Sequence, residues 1–237
     1  ESALIGVVLL SIVILTGYAG QLSLGQFAFV GAGAFIAARL ADVVGLPFLA
    51  CFIIAILTAI PIGALFSLPA LRTRGIDLAI ATMGLGLAID ALIFKNKDLT
   101  GGFSGTTVSS PHLLGINIDF IAHPQRFTIL TVGLLTFALY LTNNIRKSRT
   151  GLQLLAMRSN EKAAASLGIN VIASKVYAFS FAASLAAASG ALGAFQYTNV
   201  RFDAGYSTFE SIPAVLMIFL GGIGYLSGAV IGGILFI

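Results

Sequence analysis

The sequence predicts an all-α, polytopic transmembrane helix bundle with broken or re-entrant segments and one short helix outside the membrane. Three observations carry this expectation. Charged residues make up 9% of the 237 positions and hydrophobic ones 58%, whereas a soluble domain carries about 25% charged residues. Such a chain cannot clothe a soluble fold in a polar skin, and a bilayer asks for none. Apolar residues run continuously over lengths near the roughly 20 needed to span, instead of alternating as in the strands of a membrane barrel. Many of the 27 glycines fall inside these runs, where small residues let helix backbones approach closely in lipid.

The candidate spans are residues 2–16, 24–40, 47–70, 76–94, 126–144, 175–197 and 212–237. The first is short. The last carries Gly221, Gly222, Gly224, Gly228, Gly232 and Gly233, and reads either as one helix or as two segments broken near Gly224. Pro61 and Pro69 are expected to kink or end the third span. Two small-residue stripes, Ala182/Ala186/Gly190 and Gly224/Gly228/Gly232, have the four-residue spacing of close helix packing. The whole of 1–237 reads as a single transmembrane domain. It begins at Glu1 and ends at Ile237 within apolar runs, as expected for a piece of a longer chain.

Orientation follows from the connections. Alternation along the spans puts 71–75 and 145–174 on one side, and 41–46, 95–125 and 198–211 on the other. Eight Lys or Arg lie on the first side (72, 74, 146, 147, 149, 158, 162, 175) and five on the second (39, 95, 97, 126, 201). The positive-inside tendency therefore puts 145–174 in the cytoplasm. The net charge of +4 is accounted for by this loop bias, so no nucleic-acid partner is expected.

Four stretches hold polar groups of interest. Residues 17–26 (Gly-Tyr-Ala-Gly-Gln-Leu-Ser-Leu-Gly-Gln) place Gly, Gln and Ser between two apolar runs. Irregular backbone at membrane depth survives only where protein buries it or where it lines a cavity. The segment is thus either a broken element near a transport path or a tight cytoplasmic turn. Within 145–174, Ser159 or Asn160 can cap a short Ala-rich helix with Glu161 in its first turn and Gly168 at its end. Its small side chains would let another protein pack close, with Arg158, Glu161 and Lys162 as a charged rim; the bland reading is an ordinary loop helix. On the opposite side, Leu99–Thr106 is rich in glycine and hydroxyls. Asp90 sits near the outer end of its span, where snorkelling to the interface is the expected behaviour, against the alternative of an ion-coupling carboxylate.

Enzyme chemistry finds little support. Gly102-Phe103-Ser104-Gly105 has the form of an intramembrane serine protease motif, but a serine nucleophile needs a histidine base within hydrogen-bond reach. The two histidines, His112 and His123, lie in the same loop as the serine and not in a span. Cys51 is the single cysteine, so neither an intrachain disulfide nor a thiolate metal site is expected. No Gly-Lys dipeptide occurs, hence no phosphate-binding P-loop. ATP-driven work would need a separate ATPase chain.

Taken in order, these stretches resemble the branched-chain amino acid ABC transporter permease family, M-type subunit. The resemblance covers Gly17 to Gly25 with Phe27 to Ala37, Leu71-Arg72-Thr73-Arg74-Gly75-Ile76, and Leu99-Thr100-Gly101-Gly102. It continues with Ala156 to Ala164 plus Ser166-Leu167-Gly168-Ile169-Asn170, and Leu220-Gly221-Gly222-Ile223-Gly224. It implies a non-catalytic permease in the bacterial inner membrane. Its implied partners are a second permease subunit, two ABC ATPase subunits carrying ATP and Mg, and an extracytoplasmic solute-binding protein. It implies a coupling helix over Asn160 to Gly168, with Arg158, Asn160, Glu161, Ala164 and Gly168 docking an ATPase. Gly20, Gln21, Ser23, Gly25, Gln26 and Thr82 are the expected translocation path, and Thr100, Gly101 and Gly102 the expected outer loop. Hydrophobic amino acids are the implied solutes. Ser159 and Lys162 depart from the acidic or apolar residues expected there, and urea permeases share much of the pattern, so solute choice stays open. A secondary transporter or channel, dependent on Asp90, is the reading from another class.

Overall fold

The structure, a computed structural model, describes residues 1–96, 106–107, 111–113, 116–118, 120, 122–196, 199–200 and 205–236. α1 (Ser2–Ile12) continues through a π-helical stretch (Val13–Tyr18), and an irregular segment, 19–25, leads into α2 (Gln26–Arg39) with its own π-helical extension (Leu40–Val44). α3 (Phe48–Ala70) and α4 (Ile76–Ile89, extended over Asp90–Phe94) follow. Next come the two-residue strands β1 (Thr106–Thr107), β2 (His112–Leu113) and β3 (Ile116–Asn117), then α5 (Pro124–Lys147), α6 (Arg149–Ser159), α7 (Glu161–Ser166) and α8 (Val171–Ala194). β4 (Asn199–Val200), a 3-10 turn (Thr208–Glu210), α9 (Ser211–Gly221) and α10 (Leu226–Leu235) complete the order. β1 pairs antiparallel with β4, and β2 with β3.

The fold is the expected all-α membrane bundle. Among the described residues, five helices are long and apolar enough to cross a bilayer: Gln26–Val44, Phe48–Ala70, Ile76–Phe94, Pro124–Lys147 and Val171–Ala194. α3 runs through Pro61 and ends one residue after Pro69, so the second proline marks the terminus. The last apolar run is two helices, parted at Gly222 and Gly224, whose φ values of 102° and 92° only glycine adopts without strain. At about 1.5 Å per residue, neither α9, with 11 residues, nor α10, with 10, spans a bilayer alone.

α8 is the central helix, packed chiefly against α2 and α3 and then α1. Its buried face is almost all small: Ala178, Ala182, Ala183, Ala186, Ala187, Gly190, Ala191 and Ala194. Close approach is the reason. A Cβ on Gly190 would overlap the Val30 carbonyl, one on Gly33 the backbone of Ala187, and one on Gly63 would lie 2.6 Å from the Ala183 Cβ. In lipid, where apolar burial against a neighbour gains little over burial in acyl chains, this van der Waals contact is the principal adhesive. Both small-residue stripes are spent within the chain, since Gly228 and Gly232 likewise seat α10 on α9 and α1.

Asp90 departs from expectation. It is buried, and its carboxylate accepts a 3.1 Å hydrogen bond from the Thr208 backbone N–H. A helix that starts inside the bundle has N–H groups that water cannot reach, and a carboxylate at that end satisfies one and complements the helix dipole. Capping the Thr208 turn therefore holds Asp90 inside, instead of letting it snorkel outward.

Candidate functional site

The cationic end of the bundle is organised around the α6–α7 corner. Ser148 opens α6, its Oγ accepting from the Gly151 N–H at 3.4 Å. Asn160 ends α6 and caps α7, its Oδ1 accepting from the N–H groups of Lys162 (3.0 Å) and Ala163 (3.1 Å). Gly168, with φ 83°, turns the chain out of α7, and Asn170 caps α8 through the Ala173 N–H. Local chemistry alone thus fixes a short helix between two turns.

α7 is too short to be stable by itself; inward contacts hold it. The Glu161 carboxylate lies 3.0 Å from the Lys175 Nζ and 2.5 Å from the Arg74 Nη2, and accepts from the Gln21 Nε2 at 3.2 Å. The two ion pairs differ in worth. Arg74 is 61% exposed, so its pair contributes about 0–1 kcal/mol. Lys175 is 2% exposed and also donates to the Ala70 carbonyl at the end of α3. Removing one member of a buried pair costs about 3–5 kcal/mol. The longer contact is therefore the stronger constraint. Arg158, at the end of α6, donates to the Gly17 carbonyl, and Ala164 is buried beneath α7.

The outward face is different. Lys162, Ala163, Ala165, Ser166 and Gly168 are exposed, and Leu167 is 79% exposed. Of the residues expected to dock a partner, Asn160 and Gly168 shape this corner, Arg158 and Glu161 reach back into the bundle, and Ala164 lies under it. Leu167, which the sequence offered only as part of a motif, is the large apolar side chain that projects away.

The expected path residues come together, packed tightly. The Leu24 N–H donates to the Thr82 Oγ1 (3.0 Å), the Gly25 N–H to the Ser23 Oγ (3.4 Å), and the Ser11 hydroxyl to the Gln26 Oε1 (2.9 Å). A Cβ on Gly25 would fall 2.7 Å from Phe66 and 2.9 Å from the Thr82 carbonyl. Gly20, with φ 67°, lets the chain pass Arg158, whose Cγ would be 2.9 Å from an added Cβ. Segment 19–25 is thus irregular backbone, exposed at Gly20 in the cationic corner, half-buried at Leu22 and Leu24, and buried at Ala19, Gln21, Ser23 and Gly25, ending against Phe66 and Thr82. Thr100, Gly101 and Gly102 lie outside the described residues, as do Ser104 and its neighbours.

Above this segment, toward the opposite end of the bundle, lies a cavity of about 420 Å³. Leu4, Val8, Phe27, Val30 and Phe236 give it apolar walls, and Glu210 and Ser189 supply polar atoms. None of the expected path residues lines it; Phe27, which follows Gln26, does. The Phe27 N–H donates to the Ser211 Oγ at 3.1 Å, so the first turns of α2 and α9 meet at the cavity. A second, polar cavity of about 340 Å³ sits between Gly20–Gln21 and the α6–α7 corner. Sequence pattern could not reveal either, because each is assembled from residues far apart in the chain, the first from Glu1 to Phe236 and the second from Ala19 to Glu161.

The family described as branched-chain amino acid transport system, permease component, matches residues 1–237. The chain is 28% identical over 245 aligned positions to the high-affinity branched-chain amino acid transport system permease protein LivM of Escherichia coli K12, covering 94% of this chain and 57% of that protein. It is 27% identical to LivM of Salmonella typhimurium over the same shares. Against the probable branched-chain amino acid transport permease protein LivM of Methanocaldococcus jannaschii it is 23% identical over 80% of this chain and 54% of that one. The chain thus spans a little over half the length of these curated relatives. No solved structure matches it. On a family match over all 237 residues and an all-α bundle with, among the described residues, five helices long and apolar enough to span, the chain belongs to the branched-chain amino acid transport permease family.

Proposed function

We propose that this chain forms the membrane path of an ATP-driven importer for branched-chain or other hydrophobic amino acids in the bacterial inner membrane. It performs no chemistry of its own. Two ABC ATPase subunits bind and hydrolyse ATP with Mg, a second permease subunit completes the membrane part, and an extracytoplasmic binding protein delivers solute to the outer face. The observation that carries this reading is the α6–α7 corner: a helix tied inward by Glu161, Ala164 and Arg158, with Leu167 79% exposed on its outer side. A leucine this exposed in the cationic connection fits a pocket on another protein, since an apolar anchor surrounded by small residues is how a compact interface excludes water.

The apolar cavity supports the choice of solute. Its walls suit an aliphatic side chain, and Glu210 and Ser189 are placed among them as polar groups. Urea, with no apolar surface, would gain nothing from Leu4, Val8, Phe27 and Val30. A secondary transporter dependent on Asp90 is less well supported, because that carboxylate is engaged with the Thr208 N–H.

The test is co-purification of the full-length permease with its ATPase subunits, native against Leu167→Arg. Membrane insertion and monodispersity should be unchanged, and ATPase recovery should fall at least about tenfold, as for loss of a buried interface anchor. Native protein that retains no ATPase subunit would overturn the reading. Undiminished recovery with Leu167→Arg would move the interface elsewhere.

A further inference from the structure

We infer that Glu161 and Gln21 form the joint through which movement of α7 reaches the solute cavity, and that Glu161 does not itself serve as an ATPase contact. This inference rests on the proposed function and adds a transmission route to it.

The geometry is a clamp with two arms. Arg158 and Glu161 stand three residues apart on either side of Asn160, and both reach the same short strap. Arg158 donates to the Gly17 carbonyl, and Glu161 accepts from the Gln21 Nε2 at 3.2 Å. The strap between these anchors is tied back to the π-helical stretch only by the Ala19 N–H to the Ile14 carbonyl (3.0 Å) and the Gln21 N–H to the Leu15 carbonyl (2.8 Å) among the backbone bonds of the described residues. Gly20 makes its turn with φ 67°, and an added Cβ there would press on Arg158. A rigid displacement of the α6–α7 corner, which carries Arg158 at the end of α6 and Glu161 at the start of α7, therefore moves both ends of 17–21 together.

Beyond Gln21 the strap is gripped at its far end. Leu24 and Gly25 are fixed to Thr82 and Phe66 of α4 and α3, and Gln26 to Ser11 of α1. The next residue, Phe27, lines the cavity and donates its N–H to Ser211 at the start of α9. An unbroken line of contacts therefore runs from α7 through Gln21 and Gln26 to the cavity floor. The side chains at the corner are polar, so the contacts can be remade in a second arrangement. The alanine and glycine seam around α8 offers no such freedom.

Burial of Glu161 argues in the same direction. Its side chain is 10% exposed and holds Lys175, which is 2% exposed. A carboxylate committed to a buried cation, an arginine and a glutamine has little surface left for another subunit. Gln21 carries a further sign of a joint: its Oε1 is buried with no hydrogen-bond partner. Such an atom is costly to leave unpaired, and a second position of the strap would relieve it.

The experiment uses the full-length permease with its ATPase subunits and binding protein in proteoliposomes, measuring solute transported per ATP hydrolysed. Glu161→Gln tests the joint directly. Because it leaves Lys175 buried without a counter-charge, Gln21→Leu is the second variant: it keeps both ion pairs and removes the contact to Glu161, together with a longer bond from the same Nε2 to the Ala19 carbonyl (3.4 Å) inside the strap. Gln21→Leu should leave ATPase co-purification at the native level and lower transport per ATP by about tenfold, the weight of a hydrogen bond to a charged group. Glu161→Gln should lower it at least as far, and the double variant no further, because both act through one contact. A native transport-to-ATP ratio in Gln21→Leu, with docking intact, would overturn the joint while leaving the importer reading in place. Loss of co-purification in Glu161→Gln, with the protein folded, would make Glu161 a docking residue and overturn the inference from the other side. Failure of the native chain to bind any ATPase subunit would instead strike the proposed function.

Discussion

The seam between α8 and its neighbours α2 and α3 and the corner between α6 and α7 are built from opposite materials. Beyond Lys175 at its corner end, the seam is uncharged, and its small side chains bring backbones into contact, as where Gly190 meets Val30 and Gly33 meets Ala187. The corner is held by two ion pairs, two asparagine caps and the arginine bond to Gly17. Close-packed backbone has one good arrangement, because a methyl group too many or a slip along the helix meets hard repulsion. Polar side chains on long stems can exchange partners. The comparison separates a scaffold that must not move from a corner that can.

The scaffold is the easier half to break, and there the largest effect is expected. Gly190→Leu places a side chain where the Val30 carbonyl already lies, so α2 and α8 must separate. The variant should give little monodisperse protein in detergent, or a melting temperature lower by at least about 5 °C. Gly84→Ala is its control. No atom lies within 4 Å of a Cβ added there, and alanine is the better helix former by about 1 kcal/mol. Its melting temperature should match or exceed that of the native chain. Equal damage from both would mean that the seam is not what holds the bundle together.

A middle-sized effect is expected at Asp90, which belongs to neither region and ties α4 to the turn before α9. Asp90→Ala leaves the Thr208 N–H buried and unpaired, at a cost of about 1–3 kcal/mol. Asp90→Asn keeps an acceptor oxygen and should retain most of the melting temperature and of the transport. The pair of variants also distinguishes capping from ion coupling. A coupling carboxylate would be disabled equally by alanine and asparagine, and equal loss of transport in both would restore the secondary-transporter reading.

The same contrast explains what was legible in the sequence. The long spans and the breaks at 19–25 and Gly222–Gly224 were readable, because each depends on local composition: apolar run length and clustered glycine. The start of α7 was readable too, since Asn160 and Glu161 are a local capping signal. What the corner does with its charges was not. Glu161 looked like a rim residue because its partners, Gln21, Arg74 and Lys175, stand at distances along the chain that no periodicity encodes. Lys175 counted only as one more cation near a span. Leu167 stood only as one letter of a motif, and its exposure in the fold sets it apart. Asp90 was expected to snorkel because nothing in its own span announces Thr208.

The smallest effect is expected from one cap placed in two settings. Asn160 and Asn170 both accept backbone N–H bonds at a helix start, Asn160 from Lys162 and Ala163 and Asn170 from Ala173. Replacing such a cap by alanine costs about 0.5–2 kcal/mol. α8 is 24 residues long and packed along its length, so Asn170→Ala removes one contribution among many, and exchange of its interior amides should stay near the native rate. α7 has six residues and cannot propagate a helix unaided. Its amides open locally without unfolding the bundle, so the full cost falls on that local equilibrium. Hydrogen exchange over 161–166 should accelerate by about twofold to thirtyfold in Asn160→Ala, the factor that a cost of about 0.5–2 kcal/mol sets on an opening equilibrium, and return toward native in Asn160→Asp. Acceleration of similar size across α8 in Asn170→Ala would mean that the scaffold, too, depends on its caps, and that the division between seam and corner is less sharp than their materials suggest.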